Sequence, residues 1–254
     1  MSEKPPLTGK WWLLPVGIAV AALVVLATLF WPGGGDSEVS TPDDDNPAET
    51  LDDDDSAPVD VVDPGEEEQP DLSFVEQRNP DDPLSIGDAE APVVLVVFSD
   101  YQCPYCASWS EETLPVMMDY VDAGDLFIEW RDLNVFGPAS ERASQAAYAA
   151  GLQGGFWDYH EALFAGGEIR SENELSDEAL IGLADDLGLS VDQFAQDLDS
   201  AEVIEAVETN QQLGMDLGAY STPAFVLGGE PMVGAQPTEV FTEAVDQALE
   251  QAQE

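Results

Sequence analysis

The chain has 254 residues, 44% of them hydrophobic, with 53 acidic side chains against 6 basic ones and a formal charge of −47. That is enough apolar material for a real core, while a field of this sign repels phosphate backbones and anionic lipid and so excludes nucleic acid as a partner. The acids run along the whole length, which reads as a surface solvated for high salt or a crowded envelope rather than a site for one cationic substrate.

Residues 11–31 form an apolar span without a charge. At about 1.5 Å per residue, some 20 such residues cross a bilayer of roughly 30 Å. Trp11 and Trp12 stand at one end and Phe30 and Trp31 at the other, as interfacial aromatic belts do. Lys4 and Lys10 precede the span and no lysine follows it, which predicts a cytoplasmic N-terminus (1–10) and an extracytoplasmic remainder. A cleaved signal peptide would have a shorter apolar region and a small-residue cleavage site. The run here is longer and ends in Leu29-Phe30-Trp31-Pro32, so it reads as an uncleaved single-pass anchor.

Residues 32–71 change character. Sixteen acidic residues lie between Gly33 and Asp71, Asp52-Asp53-Asp54-Asp55 among them, with scattered prolines, and no apolar face recurs. Such a segment buries too little surface to offset its ordering entropy and is expected to be a disordered tether. Ordered calcium loops need a glycine at a fixed place among the ligands, which this run lacks.

The globular domain is expected over 72–254. Val93-Val94-Leu95-Val96-Val97-Phe98 is a continuous β-branched run, the pattern of a strand covered on both faces. A helical stretch to about Tyr120, a break at Gly124 and a strand at Leu126-Phe127-Ile128-Glu129-Trp130 complete a right-handed βαβ unit. From about 139 to 218 the pattern is helical almost throughout. Ala143, Ala146, Ala147 and Ala150 share one face, and Phe156, Tyr159 and Leu163 another. Ser190 with Gln193 predicts a capping box. Ala224-Phe225-Val226-Leu227, Gly228-Gly229 and Met232-Val233 read as a hairpin, and Pro237 opens a closing helix.

Cys103 and Cys106 are the only cysteines, with Pro104 and Tyr105 between them. A disulfide closing so short a loop constrains the unfolded chain little, so a structural bridge is a poor reading. A structural zinc site would want four nitrogen or sulfur ligands, and the sole histidine, His160, is far off in sequence. The pair therefore reads as redox chemistry, with no metal and no cofactor. A Cys at a helix N-terminus meets unpaired N–H groups and the positive dipole end, which favour its thiolate. Cys103 is then the exposed nucleophile, and Cys106, one turn inside, the thiol that resolves a mixed disulfide. Pro104 suits the first helical turn, where its missing N–H costs nothing. His160 reads as a helix-surface residue, and Arg131, Arg142 and Arg170 as ion-paired surface residues. Asp100, three before Cys103, would raise the thiolate's pKa unless it points away.

Gly87-Asp88-Ala89-Glu90-Ala91-Pro92-Val93, Phe98-Ser99-Asp100-Tyr101-Gln102-Cys103-Pro104-Tyr105-Cys106 and Ser221-Thr222-Pro223-Ala224-Phe225 resemble the DsbA-like thiol–disulfide oxidoreductases, notably the membrane-anchored type of Gram-positive and archaeal envelopes. The resemblance implies an α/β thioredoxin fold with an α-helical insertion. It also implies that Pro223 is a cis-proline facing the disulfide, preceded by Thr222, whose backbone pairs with an extended substrate strand. Two departures stand out. Many relatives carry an acid six residues before the first Cys, where this chain has Val97, leaving Glu129 and Asp132 on the next strand as candidate substitutes. Tyr105 precedes Cys106 where others carry a histidine.

The function expected is extracytoplasmic oxidation of dithiols in reduced or misoxidised secreted proteins, with a membrane or small-molecule redox partner. The rivals are a reductase or isomerase at the same site, and a non-catalytic acidic envelope protein that binds cations or a partner.

Overall fold

The computed structural model describes residues 70–253. The expected anchor at 11–31 and all but the last two residues of the acidic segment 32–71 lie outside them. Among the described residues no helix is long and apolar enough to cross a membrane.

The first strands are β1 (Ser85–Ile86) and β2 (Val93–Ser99), and every residue of β2 is buried. β2 pairs in parallel with β3 (Leu126–Asp132), with Val93 opposite Leu126 and Ser99 opposite Asp132. Its other edge pairs antiparallel with β4 (Ala224–Leu227), which forms a hairpin with β5 (Glu230–Val233). The order β1-β3-β2-β4-β5 leaves β2 in the middle, which explains why its sequence does not alternate. Val93, Leu95 and Val97 enter one core with Leu126, Ile128 and Trp130, whereas Val94, Val96 and Phe98 face a second with Phe127 and Leu133.

The helical stretch expected to run through Tyr120 is two helices, α1 (Pro104–Glu112) and α2 (Leu114–Ala123). Pro115 explains the break, because it has no N–H to donate and its ring collides with the carbonyl four residues earlier. Gly124 closes α2 in the left-handed conformation, at φ 81°, and sends the chain into β3.

Between β3 and β4 stand α3 (Pro138–Gly151), α4 (Phe156–Leu163), α5 (Asp177–Asp186), α6 (Val191–Asp197) and α7 (Ala201–Asp216). Ala143, Ala146, Ala147 and Ala150 of α3 are fully buried, and the helix packs on α4 and α7. α7 crosses the sheet closely because Gly214 has no side chain; a Cβ there would lie 3.0 Å from Leu133 and 3.2 Å from Phe98. The capping box expected at Ser190 is not formed, since Gln193 bonds instead to Asp197 at 2.7 Å. A reciprocal cap occurs earlier, where the Glu174 carboxylate accepts from the Ser171 N–H at 3.0 Å. The closing helix α8 (Thr238–Gln251) buries Phe241 and Val245. A βαβ unit followed by an antiparallel hairpin and a last helix, with helices on both faces of a mixed sheet, is a thioredoxin-like α/β fold.

Candidate active site

β2 ends at Ser99, and a short turn delivers Cys103 to the N-cap of α1 with Pro104 at its first position. The Cys103 N–H donates to the Asp100 carbonyl at 3.0 Å, and the Cys103 carbonyl accepts from Cys106 and Ala107 at 3.1 Å each. Across from it the Thr222–Pro223 bond is cis, as the family resemblance implied. Cys103 Sγ donates to the Thr222 carbonyl at 3.3 Å, and Gly234 N donates to the Pro223 carbonyl at 2.9 Å. Helix start and β4 entrance thus bring all four expected site residues, Cys103, Cys106, Thr222 and Pro223, to one place.

The two sulfurs are driven in opposite directions. The Cys106 thiol hydrogen-bonds to Cys103, the largest of the influences on it, and the side chain of Thr222 and the N–H groups of Cys106 and Tyr105 add to this. Together they bring Cys103 from 9.0 down to about 6, against the opposing effect of burial. Burial first, and the bond to Cys103 second, push Cys106 far above the ordinary thiol range. One thiolate and one thiol is the charge state in which Cys103 attacks and Cys106 waits.

Cys103 is not exposed as expected: its residue is 1% accessible. The Thr222 carbonyl lies over its sulfur, and Tyr105, two residues after it, and Tyr220, two residues before Thr222, are each about 70% exposed.

Asp100 points away from the thiolate. It is fully buried, with one oxygen accepting from Gln102 N at 2.7 Å and the other from Phe136 N at 3.0 Å. Gln102 in turn donates to the Arg170 carbonyl at 2.8 Å. The two candidates for the missing acid stand at different places on β3. Glu129 neighbours Val96 in register and so lies on the opposite sheet face, paired with Arg131 at 3.0 Å. Asp132 is fully buried beside Ser144 and Asn210, and burial raises its carboxyl to about 7. Arg131, expected at the surface, is 1% exposed and held by Glu129 and by Asp82 at 2.7 Å. Arg142 is ion-paired as expected, with Asp177 and Asp199, whereas Arg170 donates to the Ala162 carbonyl.

His160 is the largest departure from expectation. It is 1% exposed, and burial lowers its imidazole to about 3. Tyr101 Oη lies 3.2 Å from its Nδ1 and Ser110 Oγ 3.2 Å from its Nε2. Trp130, Phe156, Trp157 and Phe164 surround it, Trp130 with ring centres 4.3 Å apart. The spacing carried the signal: His160 follows Phe156 by four and precedes Leu163 by three, which sets it on the buried stripe of α4. Ser99, whose hydroxyl lies beside the Cys106 sulfur, was also missed. Among the described residues no cluster of three or more His, Cys, Asp or Glu side chains is placed to hold a metal.

A family model described as thioredoxin matches residues 79–247. The chain is 33% identical over 167 residues to a Na(+)/H(+) antiporter, NhaA 1, of Salinispora arenicola (strain CNS-205), covering 64% of this chain and 24% of that protein. It therefore spans about a quarter of the length of the antiporter relatives it matches. A probable disulfide bond formation protein D of Bacillus anthracis is 26% identical, over 57% of this chain and 69% of its own length. Among solved structures, BdbD from Bacillus subtilis superposes with a TM-score of 0.61 at 24% identity, covering 72% of this chain and 96% of that one. A thioredoxin-like oxidoreductase from Silicibacter pomeroyi DSS-3 gives 0.58 at 28% identity, over 68% and 94%. The motif geometry, the fold and a family match over more than half the chain agree: this protein belongs to the thioredoxin family.

Proposed function

We propose that the protein is an extracytoplasmic thiol–disulfide oxidoreductase that oxidises dithiols in secreted proteins through the Cys103/Cys106 couple. The observation that carries this reading is the opposed pair: an activated sulfur at the N-terminus of α1 under the Thr222 carbonyl, and a buried thiol one turn behind it. In the oxidising direction a substrate thiolate attacks the Cys103 sulfur of the Cys103–Cys106 disulfide and expels Cys106. A second substrate thiol then attacks the mixed disulfide, and Cys103 leaves as the stabilised thiolate.

The domain plan that supports this place of work is an apolar anchor at 11–31, an acidic tether at 32–71 and the thioredoxin domain beyond it. No lysine follows the anchor, which favours a domain outside the cytoplasm. A membrane or small-molecule partner would restore the disulfide. In a test on a reduced, unfolded secreted protein, the oxidised chain should restore disulfides and Cys103→Ser should not. Full activity in that variant would sink the reading. Alkylation of Cys103 should follow a single titration centred near pH 6.

One observation favours a second direction at the same site. A Cys103 near 6 lies closer to the value of about 7 that accompanies reducing thioredoxin than to the value of about 3.5 in strongly oxidising DsbA. A measured potential near −270 mV would assign the protein to reduction or isomerisation instead.

A further inference from the structure

Every turn of the cycle moves a proton at Cys106, which is 1% exposed. When Cys106 resolves a mixed disulfide, its sulfur bonds to Cys103 and the Cys103–substrate bond breaks. The electron pair of that bond leaves with the substrate sulfur, and the Cys106 proton must go elsewhere. In the oxidising direction Cys106 is the leaving group, and a proton must return to it. Val97 shares the buried cluster with both cysteines and can do neither.

Tyr101, His160 and Ser110 form a hydrogen-bonded series that starts in the cluster of the cysteines. Tyr101 is buried in the same cluster as Cys106, two residues before Cys103, and of the charges that act on its hydroxyl Asp132 and Tyr159 come before the Cys106 sulfur. That hydroxyl meets His160 Nδ1, and His160 Nε2 meets Ser110 Oγ, at 3.2 Å in each case. Ser110 is four residues after Cys106, on the same side of α1 and one turn further from the disulfide end. Ser110 and His160 both line an open cleft of about 460 Å³ between α1, α2 and α4, together with Glu111, Asp158 and Glu161. A neutral imidazole accepts at one nitrogen and donates from the other, so it passes a proton by exchanging tautomers without standing as a buried cation.

We propose that Tyr101, His160 and Ser110 form the proton path between Cys106 and this cleft. The proposal rests on the dithiol-exchange reading above. His160 comes from the inserted helices and Tyr101 from the motif turn, so the path is assembled only when the insertion packs on the sheet.

The test uses the whole chain, reduced, and the aromatic disulfide 5,5′-dithiobis(2-nitrobenzoate). Its first equivalent of coloured thiol reports attack by Cys103, and its second reports resolution by Cys106. With Tyr101→Phe and His160→Gln the first phase should stay within about twofold and the second should slow at least about tenfold, a loss of about 1.4 kcal/mol in the resolving step. Free imidazole should speed the second phase of His160→Ala, and Asp132→Asn should change neither phase. An unchanged second phase in the folded variants overturns the path, as does equal slowing of both phases or control of the second phase by Asp132. If the Tyr101 and His160 variants fail to fold, the half-buried Ser110→Ala decides, and a wild-type second phase there overturns the path. A wild-type chain that releases no coloured thiol removes the exchange reading itself, whereas normal release with unaffected variants removes only the path.

Discussion

The two faces of the central sheet handle buried polarity in opposite ways. On the face away from the cysteines, Arg131 is held between Glu129 and Asp82, and Glu129 also accepts from the N–H groups of Gln77 and Arg78. Charge there is fixed and matched. On the cysteine face the buried groups are kept uncharged: His160 is pushed down, Tyr101 and Cys106 are pushed up, and aromatic rings fill the space between. Only Cys103, at the edge of that face, is biased toward carrying charge. The difference is between a face built to hold one charge distribution and a face on which charge can appear and disappear at a single sulfur.

The comparison breaks most visibly at Arg131. Arg131→Met leaves Glu129 buried without its partner and should cost about 3–5 kcal/mol in equilibrium unfolding, whereas the double change with Glu129→Leu should recover most of that loss. Equal losses in the single and double variants would mean that the pairing is not what matters. The next effect concerns how closely that face is covered. Gly214→Ala places a methyl 3.0 Å from Leu133 and should cost about 1–3 kcal/mol, also read by denaturant unfolding.

The cysteine face is sharpened by pH. His160 has a folded pKa of about 3 against 6.5, so between those values the unfolded chain binds the extra proton and stability rises with pH. Asp132 has a folded value of about 7 against 3.8, so in that interval the folded chain binds the extra proton and stability falls as pH rises. Unfolding curves of His160→Phe and Asp132→Asn, each subtracted from wild type between pH 4 and 6.5, should therefore slope in opposite directions. Parallel slopes would contradict the assignment of charge states. The smallest effect belongs to the outer pair of Arg142 and Asp177, whose carboxylate side chain is 63% exposed. Asp177→Asn should change stability by no more than about 1 kcal/mol and less in high salt, as thermal melts at two ionic strengths would record.

What could be read from the chain was whatever depends on near neighbours. The run Val93–Phe98 announces a doubly covered strand, and Cys103-Pro104-Tyr105-Cys106 announces a helix start with paired thiols. Thr222-Pro223 carried meaning only through the family resemblance, because cis and trans proline share one sequence. The errors fall on polar groups whose surroundings come from distant segments. Arg131 is matched by Asp82, forty-nine residues away, and His160 is bonded to Tyr101, fifty-nine away. Charged and titratable side chains are mostly exposed, so without sight of those partners the surface was the natural assignment. Cys103 was misplaced for the same reason, since what covers it is a carbonyl 119 residues on.

Asp100 anchors the surroundings of the site by a route that leaves their chemistry open. Its two oxygens hold the backbone N–H groups of Gln102 and Phe136, and no side chain takes part at the donor end. Any residue except proline can supply such a donor. The side chain at 136 can therefore be exchanged while its loop stays in place, whereas that of Gln102 also donates to the Arg170 carbonyl and ties the motif turn to a distant segment. The exposed ring of Phe136 can thus change without disturbing what holds its backbone, a separation of surface from framework that rests on one buried carboxylate.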